Sequence, residues 1–377
     1  MLELDNLNSF KKWLDSPPLQ PAAIQDLYLN GFKREILASK FQSSIFMGCV
    51  LDTHLASHIV KTGGIIIPDI GGFKFKSHRA NLYSPEELFA GFSLDASYED
   101  SFDYKVYEEY IATGKTKPTS IKTSLARRLH DHSITDALEE AILDRKVVAI
   151  MGGHSMERNE KDYFRIARIA RDLSQSGFLI VSGGGPGAME ASHLGAYFAH
   201  KTLAELEQAI GMLAPRPTGA IKGKEYKDKD WLHRAWRVKE QFPNDNSELL
   251  SIGIPTWLYG HEPPTIFATK IAKYFANSVR EDGLVSIAKY GIIFAPGSAG
   301  TVQEIFQDHT QNFYGSLSHY SPMILLDSEF WSKELPIKPL LSKMSKGRKY
   351  AELLYISDNE KEIVDYIKNY NPDEYKT

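Results

Sequence analysis

The chain has 377 residues, enough for two domains, with 42% hydrophobic and 24% charged content, as in an ordinary globular protein. A formal net charge of −4 gives no general pull toward nucleic acid or an anionic membrane. The single cysteine, Cys49, excludes an intramolecular disulfide and argues against a zinc–thiolate site; in the run SIFMGCVLD it reads as a small buried hydrophobe.

The N-terminus, MLELDNLNSFKKW, shows no basic segment followed by an apolar one, and no apolar run reaches the ~18 residues of a membrane span. The expectation is a cytoplasmic protein with no membrane partner. Residues 1–140 read as a separate α/β region of unassigned role. SIFMGCVL, DTHLASHIVKT and GGIIIPD form a βαβ-like unit, and SPEELFAGF, SYEDSFDYKVYEEYIATG and SLARRLHDHSITDALEEAIL read as helices. Ser84 with Glu87 fits a capping box. TGKTKPTS, 113–120, is a linker; it resembles the tail of a phosphate-binding P-loop, but Glu109 stands where the first glycine belongs. His54 and His58 have i, i+4 spacing without an evident third ligand, so no metal is expected. His130 and His132 diverge on a helix and read as surface residues.

Residues 141–377 alternate regularly. Apolar runs at 147–151, 178–181, 249–254, 291–295, 322–326 and 352–356 read as buried strands. Helical patterns lie at 162–176, 186–199, 265–279, 301–313, 329–345 and 359–369. Strands apolar on both faces, alternating with helices, predict a doubly wound parallel α/β sheet, Rossmann-like in layout. The charged, proline-bearing stretch 202–247 reads as an insertion: a lid, an oligomer contact or a solvated elaboration. Trp231 and Trp236 within it read as packing residues, with base stacking as the alternative.

Chemistry concentrates in glycine turns. In IVSGGGPGAMEA a strand ends in Gly183, Gly184, Gly185 and Gly187, with Pro186 suited to the first helical position and Met189 one residue beyond Ala188. Glycines let a ligand approach the backbone, and a helix mouth offers unpaired N–H groups to an anion. IIFAPGSAGTVQE repeats the logic with Gly297, Ser298 and Gly300; Thr301 reads as an N-cap and Glu304 as its capping-box partner or as a carboxylate at the helix mouth. A third turn, GGHSMER, places Gly153 and Ser155 where they could line a base or ribose pocket. The dinucleotide fingerprint G-x-G-x-x-G and the P-loop lysine are both missing, which disfavours an NAD enzyme or a P-loop ATPase.

SGGGPGAMEA resembles the GGGxxGxMxA signature, and PGSAGTVQE the PGGxGTxxE signature, of the LOG-like ("lysine decarboxylase-like") Rossmann proteins. Ser298 replaces the second motif's second glycine, and Gln303 its first acid. The resemblance covers about 145–330 apart from the insertion. It implies a nucleoside 5′-monophosphate phosphoribohydrolase that releases a free base and ribose 5-phosphate, without metal or other cofactor. It further implies Arg280 and Glu304 as the catalytic pair, the glycine turns and Thr301 as the phosphate cradle, and a homodimer. No nucleic-acid partner is expected. A sensor or carrier that binds a nucleotide without turnover is the alternative.

Overall fold

The computed structural model describes residues 1–215, 221–244 and 246–377. The chain separates into a smaller unit, residues 1–82 with 108–141, and a larger one, 83–107 with 142–377. The sequence reading set a boundary at 140; the segment 83–107 groups with the larger unit.

In the smaller unit the strands β1 (Leu2–Leu4), β2 (Ala22–Gln25), β3 (Ile45–Met47) and β4 (Ile65–Ile67) form a parallel sheet in sequential order. They are joined by α1 (Leu7–Leu14), α2 (Lys33–Ala38) and α3 (Thr53–Lys61). Sequential order with right-handed crossovers puts these helices on one face of the sheet. There Phe10, Trp13, Ile36, Leu55 and Ile59 pack with Leu4, Ile24 and Phe46. Two short capped starts fix the helices: Asn6 accepts from the Ser9 amide and Asp52 from the Leu55 amide. Cys49 is half-buried, and burial pushes its thiol up to about 11, which suits packing rather than nucleophilic chemistry.

Three further helices precede the second sheet: α4 (Pro85–Leu88), α5 (Phe102–Ala112) and α6 (Ile121–Ile142). Ser84 caps α4 by accepting from the Glu87 amide. His130, expected at the surface, is fully buried instead, its ring edge-on to Phe75 at 5.6 Å and beside Asp131. His58 bonds the Ser39 carbonyl at 2.9 Å, and among the described residues no cluster of three or more ligating side chains occurs.

The larger unit continues with β5 (Lys146–Met151), α7 (Lys161–Gln175), β6 (Phe178–Ser182), α8 (Ala188–Tyr197), α9 (Leu203–Leu213) and α10 (Lys229–Gln241). There follow β7 (Ser251–Gly253), β8 (Lys270–Ile271), α11 (Asn277–Ser286), β9 (Ile292–Phe294), α12 (Ala299–Tyr314), β10 (Met323–Leu326), α13 (Ile337–Ser345), β11 (Leu354–Ser357) and α14 (Glu360–Asn369). Seven parallel strands run in the order β11-β10-β9-β5-β6-β7-β8. This is a doubly wound α/β sheet. The chain starts at β5, winds outward through β8, then returns to the other side of β5 at β9. The crevice at the carboxyl ends of β5 and β9 is where such sheets receive ligands. No helix among the described residues is long and apolar enough to cross a membrane.

Two helical readings are corrected. The stretch 265–279 is largely extended: the Thr265 amide bonds Gly184 O, Ile271 bonds Tyr83 O, and Ala272 bonds Gly253 O. Ile266, Phe267, Ile271, Tyr274 and Phe275 are all buried, so the apolar surface surrounds the segment instead of forming one helical stripe. The pattern 329–345 breaks at Pro336 into a π-turn, Phe330–Glu334, and α13.

The insertion is no loose elaboration. Leu206, Ala209, Ile210 and Leu213 of α9, and Trp231, Leu232, Ala235 and Val238 of α10, are buried in the main core. Trp236 packs against Phe89 and Phe92. Arg158 anchors the region. Its Nε and Nη2 donate to the Glu190 carboxylate at 2.8 and 2.6 Å, its Nη1 donates to Trp231 O at 2.7 Å, and its guanidinium lies 4.1 Å from the Trp231 ring centre. Both Trp231 and Arg158 are thereby committed to structure. Residues 216–220 and 245 of the insertion lie outside the described residues.

Candidate functional site

The turns after β5, β6 and β9 lie side by side because their strands are neighbours at the centre of the sheet. Gly153 joins them. Its amide donates to Pro296 O at 3.0 Å, and its carbonyl accepts from the Ala188 amide at 3.1 Å. A side chain on Gly187, whose φ is +71°, would collide with the Gly153 carbonyl; one on Gly297 would collide with Thr301. These glycines therefore permit close backbone packing between turns. Gly187→Ala is expected to lower the unfolding free energy of the larger unit by about 1–3 kcal/mol, measurable by urea titration.

Both helix mouths start differently from the expectation. Gly187, not Pro186, is the residue before α8, so Pro186 stands outside the helix. Ser298 precedes α12 with φ −114° and ψ −147°, and its side chain makes no capping bond. Thr301 is consequently the third helical residue and buried, rather than an N-cap. The first N–H groups of α12 thus lack both an intrahelical acceptor and a side-chain cap. Ala299 and Gly300 there are exposed, and a side chain on Gly300 would meet nothing within 4 Å. At α8 the first amide, Ala188, is already satisfied by Gly153. Of the two mouths, α12 is the better anion site.

Arg280 links the turns. Its Nε donates to Ile254 O, just past β7, at 2.8 Å. Its Nη2 lies against Gly183, leaving no room there for a β-carbon. Its Nη1 is 3.6 Å from Oε1 of Glu304, with side-chain exposures of 14% for the arginine and 13% for the glutamate. Burial pushes the Glu304 carboxyl above its usual range; Arg280 pulls it down, and neighbouring Glu281 adds to the rise. A partly buried acid next to one cation, at the carboxyl edge of the sheet, is an arrangement able to stabilise developing positive charge.

Gly183, Gly184, Gly185, Met189 and Arg280 line one small cavity of about 50 Å³. Its other wall, Pro255, Thr256, Tyr259, Glu262 and Pro264, was not singled out in the sequence. That wall follows β7 as a Pro- and Gly-bearing loop with no motif, though its position after a buried strand was a usable signal. Ser155 is exposed and faces Gly223 of the insertion, and Ser298 is exposed at the mouth of α12; neither lines this cavity.

The β7 loop is held from beneath by a buried ionic network. Asp103, fully buried, accepts from Lys273 Nζ at 3.0 Å, Trp257 Nε1 at 2.9 Å and the Tyr98 hydroxyl at 2.7 Å. Tyr98 also reaches Gly260 O at 3.1 Å. The first residue of the turn Trp257–Tyr259 is therefore bonded directly to this carboxylate, and the Tyr98 hydroxyl lies between the carboxylate and the carbonyl just past the turn.

Asp308, one helical turn beyond Glu304, is almost wholly buried, and its Oδ2 has no hydrogen-bond partner. Burial drives its carboxyl well above the ordinary range. A raised folded-state pKa means stability is greatest below the unfolded value and lost as pH rises through the folded one. Asp308→Asn is thus expected to stabilise the larger unit at pH 7 by about 1–3 kcal/mol, with the gain shrinking as pH falls toward 4, measured by urea unfolding at each pH.

No protein-family model and no curated protein matches the sequence. Among solved structures, the chain is similar to the molybdenum cofactor binding protein from the phototrophic bacterium Rippkaea orientalis. That protein is 14% identical, and the match covers 60% of this chain and 97% of that one, with a TM-score of 0.36.

Proposed function

We propose that the larger unit binds a nucleoside 5′-monophosphate and hydrolyses its N-glycosidic bond, as the resemblance to LOG-like proteins implies. The observation that carries this reading is the pairing of Arg280 with the half-buried Glu304 beside an uncapped helix mouth at the sheet's central crevice. In this scheme the phosphate sits at the first turn of α12, where the unpaired amides at Ala299 and Gly300 form the positive end of the helix dipole. The bond between C1′ and the base nitrogen breaks with oxocarbenium character on the sugar. Glu304 stabilises that charge and orients the attacking water. Water adds its oxygen to C1′, and the base departs with a proton. Arg280, its planar fork already aligned by Ile254 O, holds the phosphate or the leaving base.

Mononucleotide binding in the cytoplasm by a homodimer belongs to the same proposal. The test is incubation of purified protein with a panel of nucleoside monophosphates, reading free base by chromatography. Release of base from at least one of them is expected. Tight nucleotide binding with no released base would replace the hydrolase with a sensor or carrier.

A further inference from the structure

The β7 loop alternates its side chains between two spaces. Glu262 and Pro264 line the glycine cavity; His261 and Pro263 line a larger chamber of about 280 Å³. That chamber is aromatic, with Phe92, Tyr98, Tyr104, Tyr226 and His233 on its walls. Glu262 is the joint between the spaces. Its Oε2 lies 3.9 Å from the position of a β-carbon on Gly185, and its side chain is 16% exposed. Tyr226 donates its hydroxyl to Glu262; burial, the Glu262 charge and this bond together push the phenol up to about 12. The tyrosine thus remains a donor and holds the carboxylate in place.

A carboxylate is acceptor-only and has about four lone-pair sites. One is taken by Tyr226, so others remain for a ligand. A ligand group that bonds Glu262 must present hydrogen-bond donors, and Glu262 itself repels a phosphate. Apart from Arg280 and Thr256, the side chains around Glu262 in this cavity are flat or weakly polar: Tyr259, Pro255, Pro264 and Met189, with Tyr226 bonded to Glu262 from the aromatic chamber. Such walls suit a planar heterocycle better than a hydroxyl-rich sugar. Among nucleobases, the edge with two adjacent donors is that of guanine, N1–H beside the 2-amino group. Adenine sets an acceptor next to its amino group, and hypoxanthine lacks the second donor.

Building on the nucleotide reading above, we infer that Glu262 reads the donor edge of the base and selects guanine nucleotides. Tyr226 is a positioning residue for this carboxylate. Glutamine at the same position offers one donor and one acceptor, the pair that complements adenine.

The experiment measures equilibrium binding of GMP, IMP, AMP and 2′-deoxy-GMP to the full chain carrying Glu304→Gln, with and without Glu262→Gln. Melting curves establish that both variants fold. The inference expects GMP to bind at least ~10-fold more tightly than IMP or AMP. With Glu262→Gln the margin of GMP over IMP disappears and AMP gains relative to GMP. Equal binding of GMP and IMP, or a margin indifferent to Glu262→Gln, overturns it. So does a preference for GMP over 2′-deoxy-GMP that Glu262→Gln removes while GMP and IMP stay equal, since Glu262 would then read sugar hydroxyls. A GMP margin that depends on Glu262, in a wild-type protein that releases no base, upholds this inference and overturns only the hydrolase. Failure of all four nucleotides to bind overturns this inference, and it overturns the nucleotide reading as well if CMP and UMP also fail to bind.

Discussion

Glu304→Gln is expected to slow base release by about 10²–10⁴-fold while leaving nucleotide binding within a few-fold of wild type. The substitution keeps the shape of the side chain and its reach toward Arg280, but removes the charge that would face the developing oxocarbenium ion. A loss confined to turnover separates a catalytic carboxylate from one that merely holds α12 against Arg280. The pH profile provides a second reading. Burial raises the Glu304 carboxyl above the usual glutamate range, so the acid limb of turnover is expected at a higher pH than an ordinary glutamate would give. Stability should move the other way. A carboxyl with a raised folded-state pKa contributes most below its unfolded value, and that contribution is lost as pH climbs. At neutral pH the charged Glu304 is therefore a liability, and Glu304→Gln should melt at or above the wild-type temperature. Catalytic groups held at the expense of stability show this behaviour.

Asp103→Ala carries the largest expected loss of stability, about 3–5 kcal/mol. Lys273 would remain buried without its counter-charge, and Trp257 and Tyr98 would lose their bonds to the carboxylate, keeping those to the residue-103 and Gly260 carbonyls. Burial already depresses the Lys273 ammonium, and Asp103 opposes that depression. Without Asp103 the folded state binds its lysine proton less readily than the unfolded chain does. Stability of the variant should consequently rise between pH 7 and 10. Urea unfolding across that range, followed by tryptophan fluorescence, reads both effects. Because the same carboxylate fixes the turn Trp257–Tyr259, the variant should also weaken ligand binding at the glycine cavity.

Much of the sheet could be read in advance because its central strands are short apolar runs with turn residues at their ends. VVAIM, FLIV and GIIFA stand out in this way, and their neighbouring glycine turns follow from the topology. The helix starts were less legible. Thr301 resembles a cap by residue type, yet the backbone turns into the helix at Ala299, so its hydroxyl faces inward to Gly297. Pro186 has the dihedral preference of a first helical residue, but Gly187 takes a positive φ that ends any helix running through it. The extended stretch around β8 was hidden by apolar residues that fit a helical stripe and are in fact enclosed on all sides. Asp103 and Lys273 lie 170 positions apart, and no local pattern announces such a pair. The β7 loop was overlooked for a related reason: Glu262 acquires its setting only when Gly185 and Tyr226 fold against it.

Gly153 spends both its backbone groups on adjoining turns. One side of the crevice is thus stitched in place before any ligand arrives, and its spacing cannot be adjusted without undoing those bonds. The opposite wall is held by the Asp103 network and by backbone bonds to Tyr274, and it presents side chains that can be exchanged one by one. A change of ligand preference in this scaffold should therefore come from substitutions in 255–264, with the glycine side left untouched.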